Sequence, residues 1–276
     1  MKTRVSFILC ALCLLTSNLI AQVTIAPTNL FIDSGSKFGT YMVINGSNDT
    51  QEISIDFFFG YSSTDDDGKR SIVTDDSVAK ARYSIADKIK AFPQNFTLSP
   101  GQRQVVRLRI NAQNDIPDGT YWARIRTTST PETPPLELQS NDAVTARVGI
   151  KIEQVTGLFY KKGTVTTGID ISGIRTKVNE NGQLVILTDV KRTGNTPFLG
   201  SITTSLLDES GAVVKQGLVS TSIYFDSTHK EELTISDLPE GNYTIKVQFE
   251  SQRGDLSSKD LAQMETVTKT IPYSIR

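Results

Sequence analysis

Apolar and polar residues alternate with a period of two along much of this chain. The longest such stretch is Asp142 to Lys162, DAVTARVGIKIEQVTGLFYKK. Val144, Ala146, Val148, Ile150 and Ile152 take every second position, with Thr145, Arg147, Lys151 and Glu153 between them, so a strand here carries one apolar face. Ordinary strands run to about five or six residues, and this one is far longer. Two roles fit it. It lends its apolar row and its unpaired backbone groups to another chain, or it is the last strand of a sandwich running into a linker.

On the N-terminal side, VTIAPTNLFID from Val23, KFGTYMVINGS and QEISIDFFFG are rich in Val, Ile, Phe and Tyr and are separated by Gly, Ser, Asn and Asp. That composition predicts short strands joined by turns. YSSTDDDGKRSIVTDD follows, and its run Asp65, Asp66, Asp67 and Gly68 reads as a solvated hairpin loop. A calcium loop needs oxygen ligands at alternate positions and a closing glutamate. Ala79 to Ala91 fits either a short helix with Ala81, Ile85 and Ile89 on one face or an irregular strand. In Phe92 to Ile110, Pro100-Gly101 makes a turn, and Val106, Leu108 and Ile110 alternate with arginines. Ile116 to Ser129 predicts a turn and another strand. Thr130 to Leu138, TPETPPLEL, predicts a long exposed loop, because prolines cannot donate to a central ladder.

Lys161-Lys162-Gly163 predicts a hinge. Beyond it lie seven short runs at regular spacing: VTTGIDISGI, QLVILTDVKRTG, LGSITTSLLD, AVVKQGLVSTSIYF, KEELTIS, NYTIKVQFES and TVTKTIPYSI. The halves share a pattern, Pro117-Asp118-Gly119-Thr120-Tyr121 in one and Pro239-Glu240-Gly241-Asn242-Tyr243 in the other. It suits a tyrosine corner, in which the hydroxyl bonds back to the chain across a turn. The expected fold class is all-β, two tandem immunoglobulin-like β-sandwich domains, residues 22–161 and 162–276.

Residues 1–21 change the compartment. Lys2 and Arg4, the apolar run Val5 to Leu15 and then Ala21 read as a cleaved secretory signal, too short in its apolar part to span a membrane. Both cysteines, Cys10 and Cys13, fall inside it, so the mature chain has no thiol for disulfides, metal sites or nucleophilic catalysis. Of 29 basic residues two lie in this signal, which leaves 27 against 30 acidic ones and a net charge of −3. Such a balance argues against nucleic-acid binding.

Candidate chemistry is sparse. His229 is the one histidine and lies in DSTHK, which predicts a surface turn. No phosphate loop, nucleophile elbow or paired carboxylates appear, and Arg253-Gly254-Asp255 is a three-residue match of little weight. The expectation is a protein that is not an enzyme, with no cofactor, no metal and no small-molecule substrate.

Several residues resemble the two-domain periplasmic chaperones of pilus assembly, the PapD type: Pro93, Leu98, Pro100 and Gly101; Val106-Arg107-Leu108; the long loop Thr130 to Asn141; and Leu158-Phe159-Tyr160 at the hinge. The resemblance covers most of the first domain, and the second by architecture only. It implies donation of the strand 142–160 to an exported, pilin-like subunit, with an outer-membrane usher as a further partner, and it places the donor side chains at Val148, Ile150 and Ile152. The family grips the subunit's terminal carboxylate with an arginine and a lysine. The matching positions here hold Asn29 and Gly157, so the anchor is missing or rebuilt, and the candidates are Asn29, Lys151, Lys161 and Lys162. A second reading is a structural or adhesive envelope protein that binds a surface protein or polysaccharide through the loops Ser62 to Arg70 and Thr130 to Asn141.

Overall fold

The computed structural model describes residues 23–113, 115–132 and 150–276. In chain order the first part comprises β1 (Val23–Ala26), β2 (Asn29–Asp33), β3 (Phe38–Asn45), β4 (Gln51–Phe58), β5 (Tyr61–Thr64), β6 (Arg70–Val73), the helix α1 (Ser77–Tyr83), β7 (Ile89–Phe92), β8 (Asn95–Leu98), β9 (Arg103–Ile110), β10 (Gly119–Pro131) and β11 (Ile152–Lys162). Two sheets stack here, in the orders β1-β3-β9-β7 and β2-β11-β10-β4-β8. The alternation in β9 does what its pattern predicts: Val106, Leu108 and Ile110 are at most 1 % exposed, while the arginines between them face solvent. Ile125 on β10, Leu158 and Tyr160 on β11, and Val43 and Tyr41 on β3 fill the same core. Each such side chain contributes about 1.5–3 kcal/mol by leaving water.

The second part holds β12 (Thr167–Val178), β13 (Gln183–Gly194), β14 (Phe198–Leu207), β15 (Val213–Ile223), β16 (Ser227–Thr234), β17 (Gly241–Glu250) and β18 (Val267–Ile275). All seven predicted runs are strands, in sheets ordered β12-β13-β16 and β15-β14-β17-β18. Leu184, Ile186, Phe198, Leu206, Ile245, Val247 and Phe249 form their core. Both tyrosine corners are present. Tyr121 donates its hydroxyl to the carbonyl of Pro117 at 2.9 Å, and Tyr243 does the same to Pro239 at 2.8 Å. The fold is therefore all-β and built of two sandwiches.

A third apolar cluster joins the two. Trp122 and Phe159 from the first sandwich and Leu199, Tyr224 and Leu261 from the second pack with Phe59 and Tyr61. Trp122 lies among aromatic rings, 4.7 Å from Tyr83 and 5.0 Å from Tyr224. At the connection, Gly163 has φ 59°, and a Cβ there would fall 2.0 Å from the Asp118 carboxylate. Only glycine suits that position.

Four expectations need correction. Residues 79–91 divide into three elements: α1 ends at Tyr83, a single 3-10 turn covers Ala86–Lys88, and β7 begins at Ile89. Ala79, Ile85 and Ile89 are buried while Ala81 is exposed, because one helical face does not persist through a change of element. Thr130 and Pro131 belong to β10, where they continue the ladder with Glu52 and Gln51 of β4, so the loop does not start at Thr130. The Asp-rich segment is a hairpin with Asp65, Asp66 and Asp67 exposed, as expected, but its strands β5 and β6 are docked on the second sandwich rather than standing free. Ser62 Oγ donates to the Ser222 carbonyl at 3.0 Å, Thr64 Oγ1 stands 2.8 Å from Ser227 Oγ, and Lys177 Nζ lies 3.1 Å from Asp67 Oδ1. His229 is no surface residue. It sits in β16 at 9 % exposure, 3.6 Å from Glu231, in the contact that this hairpin covers.

Candidate partner-binding edge

The long alternating segment enters the described structure at its C-terminal part. Val148 lies outside the described residues. Ile150 and Lys151 precede β11, and Ile150 is 58 % exposed. Ile152 opens β11 opposite Ser129 of β10 and is half-buried. From there the even-numbered residues turn inward, since Leu158 and Tyr160 belong to the core of the first sandwich. Ile150 and Ile152 fall on the same alternate row, so these two of the predicted donor residues lie in line with the strand's own core-facing row.

One edge of β11 is paired along its whole length. Its register with β10 runs from Ile152 against Ser129 to Lys162 against Gly119. On the other edge β2 runs parallel and covers only Gly157 to Lys161, with Gly157 opposite Asn29 and Lys161 opposite Asp33. Among the described residues no strand pairs with Ile152 to Thr156 on that side. A side chain touches down there instead, as Gln154 Nε2 donates to the Val23 carbonyl at 2.5 Å. Backbone N–H and C=O groups at such an edge are a template for another strand.

The candidate anchoring residues are not all equivalent. Lys161 is half-buried, donates to the carbonyl of Asp260 in the second sandwich, and lies 5.2 Å from the centre of the Phe31 ring. Burial holds its ammonium below the usual lysine range, against the pull of Asp260 and Asp33. Lys162 stands 3.9 Å from Asp118 at the connection, and Lys151 pairs with Glu153 at 2.7 Å on the exposed surface. These lysines already have partners. Asn29 and Gly157 do meet, and a Cβ on Gly157 would come within 2.5 Å of Asn29 Oδ1, 3.2 Å of the Phe159 ring and 3.4 Å of Arg124 Nη1.

Arg124 is the residue the sequence reading missed. It lies on β10 directly across from Gly157. Its Nε donates to the Gly60 carbonyl at 3.0 Å and its Nη2 to the Tyr224 hydroxyl at 3.1 Å. Both partners are neutral, and among the described residues no carboxylate pairs with it. Its neighbour Arg126, by contrast, is neutralised by Asp56 through contacts of 2.9 and 3.0 Å. With Nε and Nη2 engaged, Nη1 is the guanidinium nitrogen turned toward Asn29 and Gly157, and a charged donor there suits a carboxylate. The only sequence signal was the alternation of ARIR, which says that Arg124 leaves the core but not what it faces.

Strand order, open edge and aromatic joint define a tandem immunoglobulin-like protein in which one edge of β11 is only partly paired among the described residues. No family model matches the chain, and no curated protein matches it. Similar solved structures include a chain of the CsuC–CsuE chaperone–tip adhesion subunit pre-assembly complex from the archaic chaperone-usher Csu pili of Acinetobacter baumannii. It is 14 % identical over 90 % of this chain and 98 % of that one, with a TM-score of 0.43. The YadV chaperone is similar at 12 % identity, 92 % and 100 % coverage and a TM-score of 0.45. So is a chain of the Salmonella enterica SafA pilin complex with the SafB chaperone, at 14 % identity, 93 % and 99 % coverage and a TM-score of 0.43.

Proposed function

We propose that this protein is an exported, periplasmic chaperone-like protein that holds a pilin-like subunit by strand addition, without enzymatic activity. The observation that carries this reading is the open edge at Ile152 to Thr156, which continues into the alternating row of Ile150 and Val148. A subunit that lacks a strand exposes a groove and two sheet edges, and such surfaces aggregate unless covered. In this reading Val148, Ile150 and Ile152 enter the groove. Arg124, flanked by Asn29, receives the terminal carboxylate in place of the family's arginine and lysine. The partner class and the outer-membrane usher follow from the motif resemblance of Pro93 to Leu108 and Leu158 to Tyr160. The envelope-adhesin alternative loses one of its two surfaces, because the hairpin Ser62 to Arg70 is tied to the second sandwich.

The test is recovery of bound chains on the tagged mature protein from the source envelope, identified by mass spectrometry. A small exported subunit is expected, and Ile150→Asp is expected to lose it, since a carboxylate in an apolar groove costs several kcal/mol. Arg124→Gln is expected to weaken capture while the protein stays folded. A folded Ile150→Asp protein that still captures the subunit and keeps it soluble would rule out strand donation.

A further inference from the structure

A second feature of the domain joint lies on the α1 side of β10, apart from the open edge at Ile152 to Thr156. There α1, the turn before β10 and the turn between β13 and β14 enclose an open cavity of ≈ 780 Å³. This is the size of a small-molecule pocket rather than of a hydration site. Two guanidinium groups line it. Arg192 is part-buried and spends its donors on neutral groups: Nε on the Tyr224 carbonyl at 2.7 Å, Nη1 on the carbonyls of Gly194 at 2.7 Å and Thr196 at 3.2 Å, with a further bond to the Tyr83 side chain. Arg82 reaches over the Tyr83 ring, 5.1 Å from its centre. Burial, with Arg82 adding to it, holds the Arg192 guanidinium below the usual arginine range, against the pull of the Tyr83 hydroxyl and then of Asp226.

The acids in the wall are committed elsewhere. Asp76 accepts from the Tyr61 hydroxyl at 2.7 Å and from the Ala79 amide at 2.9 Å. Asp118 accepts from the Thr164 amide at 2.9 Å and faces Lys162. Among the described residues, no carboxylate forms an ion pair with Arg82 or Arg192. A small anion placed between them therefore gains charge-assisted contacts, opposed by Asp76 and Asp118 in the wall and by Asp226 near Arg192. The remaining wall is aromatic, formed by Tyr61, Tyr83 and Phe225.

We propose that this cavity binds a small organic anion, its carboxylate or phosphate held by Arg82 and Arg192 and its apolar or aromatic body lying against Tyr61, Tyr83 and Phe225. The site is separate from the strand edge and does not depend on the chaperone reading.

Isothermal titration of the mature chain with phenyl phosphate, inorganic phosphate and benzyl alcohol tests it. Phenyl phosphate is expected to bind saturably at one site. Inorganic phosphate is expected to bind about tenfold more weakly and benzyl alcohol not at all, because both wall and charge contribute. Arg82→Gln, at an exposed position on α1, is expected to weaken phenyl phosphate about tenfold with an unchanged melting temperature. Arg192→Lys is expected to weaken it as well, since an ammonium cannot keep the bonds to the Tyr224, Gly194 and Thr196 carbonyls that fix this charge beside the cavity. No saturable binding by phenyl phosphate, or equal affinity in the wild type and folded Arg82→Gln, would overturn the site. Equal affinity for inorganic phosphate would overturn the aromatic half of the assignment.

Discussion

Tyr121 and Tyr243 make the same bond in two sandwiches, yet their surroundings differ. The Tyr243 ring is buried at 7 % exposure, and its bond to the Pro239 carbonyl is partly shielded, whereas the bond of Tyr121 to Pro117 faces solvent. A shielded carbonyl that loses its donor gains little from water, so Tyr243→Phe should cost about 1–1.5 kcal/mol and Tyr121→Phe clearly less. For a chain of this size that is a fall of about 2–6 °C in melting temperature, and calorimetry of both variants checks the order. A greater loss in Tyr121→Phe would contradict it. These corners were legible because proline, glycine and tyrosine lie within five residues of one another. His229 was not, since its neighbours Thr64 and Gly68 come from a hairpin more than 150 residues away in sequence.

At the scale of elements, the hairpin of β5 and β6 straps the two sandwiches together. Thr64 Oγ1 accepts the amide of Thr228 at 2.8 Å and also meets Ser227 Oγ. Thr64→Val keeps the shape and removes the acceptor. We expect the Thr228 amide to exchange its hydrogen about tenfold faster, with amides of β9 unchanged; equal protection at Thr228 would mean the strap is held by packing alone. Most strands were readable, β13 to the residue at Gln183–Gly194, because alternation and turn chemistry are local. The docking of the hairpin was not readable, because Asp65, Asp66 and Asp67 look equally polar whether or not Lys177 and Lys230 stand opposite. The open edge at Ile152 to Thr156 also required the sheet order, since only the short reach of β2 leaves it uncovered.

Carboxylates contribute to the stability of the whole molecule, Asp67 across the joint to Lys177 and Asp189 and Asp76 within their own sandwiches. Hydrogen bonding from Lys177 holds Asp67 below the usual carboxylate range, Arg175 does so for Asp189, and the Ala79 amide followed by the Tyr61 hydroxyl does so for Asp76. A depressed folded pKa contributes stability above the unfolded value, near pH 4, and loses it as pH falls through the folded value. The melting temperature should therefore be flat between about pH 6 and 8 and drop below about pH 4, with the drop reduced in Asp67→Asn combined with Asp76→Asn. An undiminished drop in that variant would place the acid sensitivity elsewhere. Arg124 belongs to this scale too: its meeting with Gly157 and Asn29 needs three strands in their final order. The chain has one tryptophan, Trp122, 2 % exposed where the sandwiches meet, its indole nitrogen without a hydrogen-bond partner among the described residues. Nature has thus put a single fluorophore at the seam: its emission stays blue while the halves are closed, reddens when water enters between them, and is silent to events at the distant tip of the strand.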